Sequence, residues 1–130
     1  MKKRSWEPLG TLEAAVMNVV WTRAPVTARD VCDRMTGREE RAYTTIMTTM
    51  DRLHRKGLLG REKDGLAWRY SPMLSRAEFE KALADGLATD ILQSHGETAL
   101  AAFVDAAADV DESLLDRLAQ LIAERRRGRR

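Results

Sequence analysis

Apolar residues recur at helical spacing in three blocks along the N-terminal half of the chain, with a chain breaker after each. In the first block Leu12, Val16, Val19 and Val20, with Ala15 beside them, form one stripe between about Thr11 and Arg23. Met17 and Trp21 widen that stripe. Pro25 stops it, because proline lacks an amide donor and restricts the residue before it. A second, shorter helix is expected from Thr27, which sits three residues before Asp30 in a near capping-box arrangement. Val31, Met35 and Cys32 face inward, and Gly37 is expected to end the helix.

The third block, AYTTIMTTMDRLHRKGLL, divides most sharply into two sides. On a helical wheel Tyr43, Ile46, Met50 and Leu53 fall on one side. Arg41, Thr44, Thr48, Asp51, Arg52 and Arg55 fall on the other, with Thr45 on the flank. Met47 and Met50, with Met17 and Met35, read as core gap-fillers. Gly57 stands where a left-handed cap closes a helix.

The period then shortens. LLGREK and LAWRYS are strand-like runs separated by Asp64-Gly65, a strong hairpin-turn signal. That turn pairs Lys63 with Leu66, Arg61 with Trp68 and Leu59 with Tyr70. It puts Arg61 and Lys63 on the side of Trp68 and Tyr70, and Arg69 on the other. Pro72 ends the unit.

Beyond Ser75 the pattern is helical again. Ser75 and Glu78 form a capping box, and Phe79, Leu83, Leu87 and Ile91 repeat every fourth residue, with Leu92 alongside. Gly96 breaks this helix. Leu100, Phe103, Val104 and Ala107 mark a fifth. Asp109 and Glu112 are expected to cap a sixth, with Leu114, Leu115, Leu118, Leu121 and Ile122 inside it. The chain thus reads as mainly α with a small β-hairpin wing: an N-terminal winged helix-turn-helix over 1–73, three C-terminal helices over 74–124, and a disordered basic tail over 125–130.

Charge sharpens this division. Residues 1–72 carry 14 Lys and Arg against 9 Asp and Glu, a balance of +5. Residues 73–124 carry 3 against 11, a balance of −8, and the final RRRGRR adds five arginines. A basic half followed by an acidic half implies that the first meets a polyanion. Nothing approaches the apolar length of a membrane span, and MKKRSWEPLG lacks the apolar core of a secretory signal, so a cytoplasmic location without membrane insertion is expected. The single cysteine, Cys32, forms no internal disulfide and suits a reducing compartment.

Three helices followed by a hairpin suit duplex DNA. The third helix enters the major groove, while Arg61, Lys63 or Arg69 on the hairpin approach phosphates. Threonine hydroxyls reach base edges or phosphates, and threonine methyls touch thymine methyls. Threonine is also a poor choice for a merely solvated helix face, and four lie between Thr44 and Thr49. Arg52 and Arg55 are long enough for phosphates or guanine edges. The helix N-terminus near Tyr43 and Thr44 offers free N–H groups to a phosphate.

At this point the sequence resembles a known family. YTTIMTTMDRLHRKGL followed by a charged hairpin ending in WRYSP is similar to the penicillinase and methicillin-resistance repressors, the BlaI/MecI family. LGTLEAAVMNVVW and VTARDV resemble that family's first and second helices. The resemblance implies a winged-helix homodimer on a near-palindromic TACA/TGTA-type operator, repressing genes of β-lactam resistance or related cell-envelope stress. It matches Thr44, Thr45, Thr48 and Arg52 to the family's recognition helix. It also implies inactivation by proteolysis before a phenylalanine, usually after asparagine, triggered by a membrane sensor with a metalloprotease domain. The matching place reads Ala102-Phe103, so the phenylalanine is present and the asparagine is not. Copper-responsive relatives carry a cysteine-rich C-terminal motif, and this chain has no cysteine after Cys32.

The C-terminal helices, each marginal alone in water, gain stability by packing against a second copy. Phe79, Leu83, Leu87, Ile91, Leu100, Phe103, Leu114, Leu118, Leu121 and Ile122 are the expected dimerisation residues. His54, His95 and Cys32 are scattered without metal-ligand spacing, and no phosphate loop, GxSxG or HExxH motif occurs. No enzyme activity, metal or cofactor is therefore expected. The alternative reading is a winged-helix module that binds another protein and no specific DNA.

Overall fold

The computed structural model describes residues 6–129. The elements are α1 (Thr11–Arg23), α2 (Ala28–Arg34), a 3₁₀ turn (Gly37–Glu39), α3 (Tyr43–Lys56), β1 (Leu59–Asp64), β2 (Ala67–Pro72), α4 (Arg76–Val110) and α5 (Ser113–Arg127). The chain forms two compact units, the first ending at Ala84 and the second starting at Asp85.

The first unit is a winged helix. Its core draws Val16, Met17 and Val20 from α1, Val31 from α2 and Ile46, Met50 and Leu53 from α3, closed below by Leu58, Leu59 and Tyr70. Each such side chain contributes roughly 1.5–3 kcal/mol relative to exposure. Local chemistry fixes the element ends. Thr27 Oγ1 accepts the Asp30 N–H at 3.1 Å while the Thr27 N–H donates to Asp30 Oδ2 at 3.0 Å, which completes the expected capping box. α2 stops at Arg34, earlier than expected, and Gly37 begins the 3₁₀ turn rather than ending the helix. At the end of α3, Gly57 takes φ 90°, and the Leu58 N–H reaches back to the Leu53 carbonyl at 3.0 Å, a Schellman-type stop.

The hairpin differs in register from the expected one. Lys63 pairs with Trp68, Arg61 with Tyr70 and Leu59 with Pro72, around a loop of Gly65 and Leu66. Gly65 has φ +64° and, among the described residues, no non-glycine residue has positive φ, so glycine occupies the first central position of a II′-type turn. Asp64 thereby ends β1 instead of entering the turn. Each partner moves by two residues, which preserves the side on which every side chain lies. Val26 adds a bridge: its N–H donates to the Tyr70 carbonyl at 3.0 Å and its carbonyl accepts the Tyr70 N–H at 2.7 Å.

The beginning of α4 belongs to this same unit. The Ser75–Glu78 capping box forms as expected, at 3.0 and 2.8 Å. Phe79, expected at a dimer face, is instead 4% exposed within its own chain. Its ring lies 5.9 Å from Trp6, edge-on, and 5.9 Å from Trp21. Leu83 is partly buried against the same core, so the unit extends past the expected boundary near Met73. The tryptophans provide the reason: Trp21 donates through Nε1 to the Leu74 carbonyl at 2.9 Å and leaves its ring face as a seat for Phe79.

In the second unit α4 changes direction at Gly96 (φ 44°, ψ −118°), so the expected break is present. Ser113 begins α5 with its N–H bonded to the Asp111 carboxylate at 3.0 Å, and Asp111 rather than Asp109 or Glu112 supplies that bond. α5 continues to Arg127, through residues expected to form a disordered tail. Arginine is a good helix former, and its charge is favourable at the negative end of the helix dipole.

Candidate nucleic-acid interface

Burial of Ile46, Met50 and Leu53 fixes the rotation of α3 and leaves Thr44, Thr45, Met47, Thr48, Arg52 and Arg55 exposed. Thr48 Oγ1 donates to the Thr44 carbonyl at 2.9 Å, which leaves the oxygen lone pairs and the methyl available outward. Thr49 departs from the expected surface run. It is 3% exposed and satisfies its hydroxyl on the Thr45 carbonyl at 2.8 Å, so it belongs to the core. Met47 departs in the opposite sense. Expected as a core filler, it is 45% exposed among the threonines. Its spacing of three from Thr44 placed it on that side of the wheel, a signal that hydrophobicity alone outweighed.

The N-terminus of α3 has Ala42 as its cap and no side-chain hydrogen bond there, so its first N–H groups and positive dipole end face outward. Arg41 folds over the preceding loop and donates to the carbonyls of Arg38 and Glu40 at 2.6 and 2.8 Å. Arg29, overlooked in the sequence, stands 4.1 Å over the Tyr43 ring beside this end.

The wing presents its basic residues unequally. Arg61 Nη1 lies 3.0 Å from Asp51 Oδ1 and 3.4 Å from the Tyr70 hydroxyl, with the guanidinium 4.4 Å above Trp68. Lys63 Nζ sits 4.5 Å from the same Trp68 ring. The Tyr70 hydroxyl, and then the Asp51 carboxylate, hold the Arg61 pKa above its ordinary value. Arg55 pairs with Asp51 Oδ2 at 3.0 Å. Arg69 lies on the other side of the hairpin, paired with Asp64, and is not brought to the face of α3. Between α3, the start of α2 and the wing runs an open groove of about 440 Å³, lined by Arg29, Tyr43, Met47, Thr48, Asp51, Arg61 and Trp68 among others.

Behind this face, Glu13 ties α1 to α3. Its Oε2 accepts from Lys56 Nζ at 2.8 Å and its Oε1 from the Gly10 N–H at 3.2 Å. Burial pushes the Glu13 carboxyl up, but these hydrogen bonds and the charges of Lys56 and Arg52 outweigh it and hold the pKa below its usual value. Cys32 is partly buried against the core. Among the described residues no cluster of His, Cys, Asp or Glu has the makings of a metal site, and no helix is long and apolar enough to cross a membrane.

Comparison with known proteins identifies the family. The penicillinase repressor family model matches residues 9–124. The chain belongs to the penicillinase repressor family. Within that family it is 39% identical to the transcriptional regulator BlaI of Mycobacterium tuberculosis over 118 residues, covering 88% of this chain and 86% of that protein. It is 24% identical over 80 residues to the methicillin resistance regulatory protein MecI of Staphylococcus aureus, covering 62% of this chain and 64% of MecI. Among solved structures, the DNA binding domain of the repressor BlaI superposes with a TM-score of 0.49 at 27% identity, over 60% of this chain and 93% of that one.

Proposed function

We propose that this penicillinase-repressor family member acts in the cytoplasm as a homodimeric, sequence-specific repressor. α3 lies in the major groove of a near-palindromic TACA/TGTA-type operator, and the wing follows the backbone. Thr44, Thr45, Thr48 and Arg52 are the base-reading and register-setting residues. Arg41, Arg55, Arg61 and Lys63 are the phosphate-facing ones, with Arg69 approaching only from the far side of the wing. The observation that carries the reading is the alignment of the exposed face of α3 with the Arg61–Trp68–Lys63 side of the wing.

Dimerisation rests on the second unit. Among its described residues only Ala99 is buried, while Leu87, Ile91, Leu100, Phe103, Leu114, Leu121 and Ile122 are all exposed in the single chain. Leu118 is half-buried there. Two copies packed through these helices present two recognition helices to two half-sites. The regulated genes in this reading are those of β-lactam resistance or cell-envelope stress. Release follows cleavage at Ala102-Phe103, set in motion by a membrane sensor-protease. Phe103 is 63% exposed in the single chain but lies on helical backbone, so cleavage there requires local unwinding.

Fluorescence anisotropy on promoter DNA tests the core of this proposal. A palindromic TACA/TGTA duplex and a scrambled duplex are compared at two salt concentrations. A preference of about a thousandfold or more, persisting at the higher salt, is expected. Equal and strongly salt-sensitive binding to both would leave only a basic surface and favour a protein partner.

A further inference from the structure

The DNA-facing side of α3 carries one acidic residue, Asp51, at the mouth of the groove between helix and wing. Its position is electrostatically adverse, since a carboxylate beside a phosphate backbone repels it. Its contacts show what it does. One oxygen, Oδ2, binds Arg55 one turn further along α3, and the other, Oδ1, binds Arg61 on β1, both at 3.0 Å. Arg61 is in turn fixed from two other directions, by the Tyr70 hydroxyl and the Trp68 ring face. Its side chain is 22% exposed, against 79% for Arg55. The carboxylate is therefore a joint between two elements of the interface, α3 and β1, and it partly neutralises one basic side chain on each.

We propose that Asp51 is a positioning residue that sets DNA specificity: it clamps the wing to the recognition helix through Arg61 and restrains Arg55, suppressing sequence-independent phosphate binding while fixing the register of the specific complex. The inference rests on the DNA-binding reading above. Its physical basis is a difference between two binding modes. Non-specific affinity grows with every cation free to neutralise a phosphate and falls steeply with salt. Specific affinity depends on cations held at fixed positions relative to the base-reading side chains. An Asp51–arginine pair weakens the first mode and pre-organises the second. An arginine held in an ion pair also neutralises less of a phosphate, so each such pair lowers the number of counterions released on binding.

The test uses the full chain and its Asp51→Asn variant on the TACA/TGTA duplex and a scrambled duplex, over a salt series. Asp51→Asn is expected to bind the scrambled duplex about three- to tenfold more tightly at low salt, with a log–log salt slope steeper by about one or more. The operator-to-scrambled ratio is expected to fall at least several-fold. In an Arg55→Ala, Arg61→Met background the same substitution should raise affinity for both duplexes only slightly and equally, by lost carboxylate–phosphate repulsion, and leave slope and ratio close to those of that background, because the residues through which Asp51 acts are gone. A bystander carboxylate would have the same effect in both backgrounds, and that outcome overturns the proposal. Wild-type slope and ratio in the single variant overturn it as well. Should the wild-type chain hold neither duplex, the DNA reading itself fails and this assignment with it. Melting curves of all variants show whether any change in slope follows from unfolding.

Discussion

Arg52 and Glu13 contrast a side chain proposed to read DNA with one that holds the scaffold beneath it. Arg52 emerges from the exposed face of α3 one turn after Thr48, on the stretch that Ile46, Met50 and Leu53 orient from below. Arg52→Ala is expected to weaken operator binding by about 1–3 kcal/mol, roughly fivefold to 150-fold, with little change in melting temperature. Anisotropy and calorimetry on the same preparation check both halves of that statement. Glu13 makes no approach to the groove, yet it anchors the last turn of α3 through Lys56. Its folded pKa lies below the ordinary 4.5, so its stabilisation is fully present above that value and is lost as pH falls through the folded pKa. Glu13→Gln should therefore lower the melting temperature at neutral pH and narrow its gap from wild type below about pH 4.5. A constant gap across that range would show that the Lys56 bond contributes nothing through charge.

At the scale of elements, local chemistry was readable at three ends, and misread at Gly37 and at the start of α5. Gly57, the Thr27–Asp30 box and the Ser75–Glu78 box all act where the sequence placed them. Gly57 takes φ 90°, a region that costs a residue with a Cβ about 1 kcal/mol, so Gly57→Ala should destabilise the first unit by about that amount in urea titration. The hairpin was readable in its faces but not in its register. Asp64-Gly65 and Gly65-Leu66 both satisfy a glycine-containing turn, and only the conformation of Gly65 and the pairing of Arg61 with Tyr70 decide between them. Thr49 and Met47 were misplaced because residue type was weighed above position on the helix, and Phe79 because its covering body was not known. Periodicity identifies a side of a helix, but it does not say which body covers that side. The Thr45 carbonyl lets a hydroxyl be buried at Thr49, and the Trp6 and Trp21 rings claim Phe79 from the helix that continues into the second unit. The exposed side of α3 was legible because its residues lie on one helix. Asp51 as a joint was not, because Arg61 reaches it from another element.

For the whole molecule, the contrast between the units bears on how one short chain reads an operator. The first has a closed core and carries the basic excess of the sequence. The second is acidic before its arginine end and keeps Ile91, Phe103 and Leu121 exposed at 49, 63 and 44%. An apolar surface of that kind on a single chain is unfavourable in water, and a two-fold partner removes it. Ile91→Asp and Leu121→Asp change side chains that are already exposed, so the fold of each chain should survive while a buried carboxylate disfavours the pair. Sedimentation should show a wild-type dimer at micromolar concentration and a monomer for the doubly substituted chain. Because linking two half-site readers multiplies affinity by about 10²–10⁴, the variant should lose binding to a two-half-site duplex by a factor in that range. Its affinity for a single half-site should stay close to that of wild type, since the residues that touch DNA in this reading all lie in the first unit. A monomeric wild-type chain with the same operator affinity as the variant would remove the dimer from the mechanism and leave the apolar helices to some other partner.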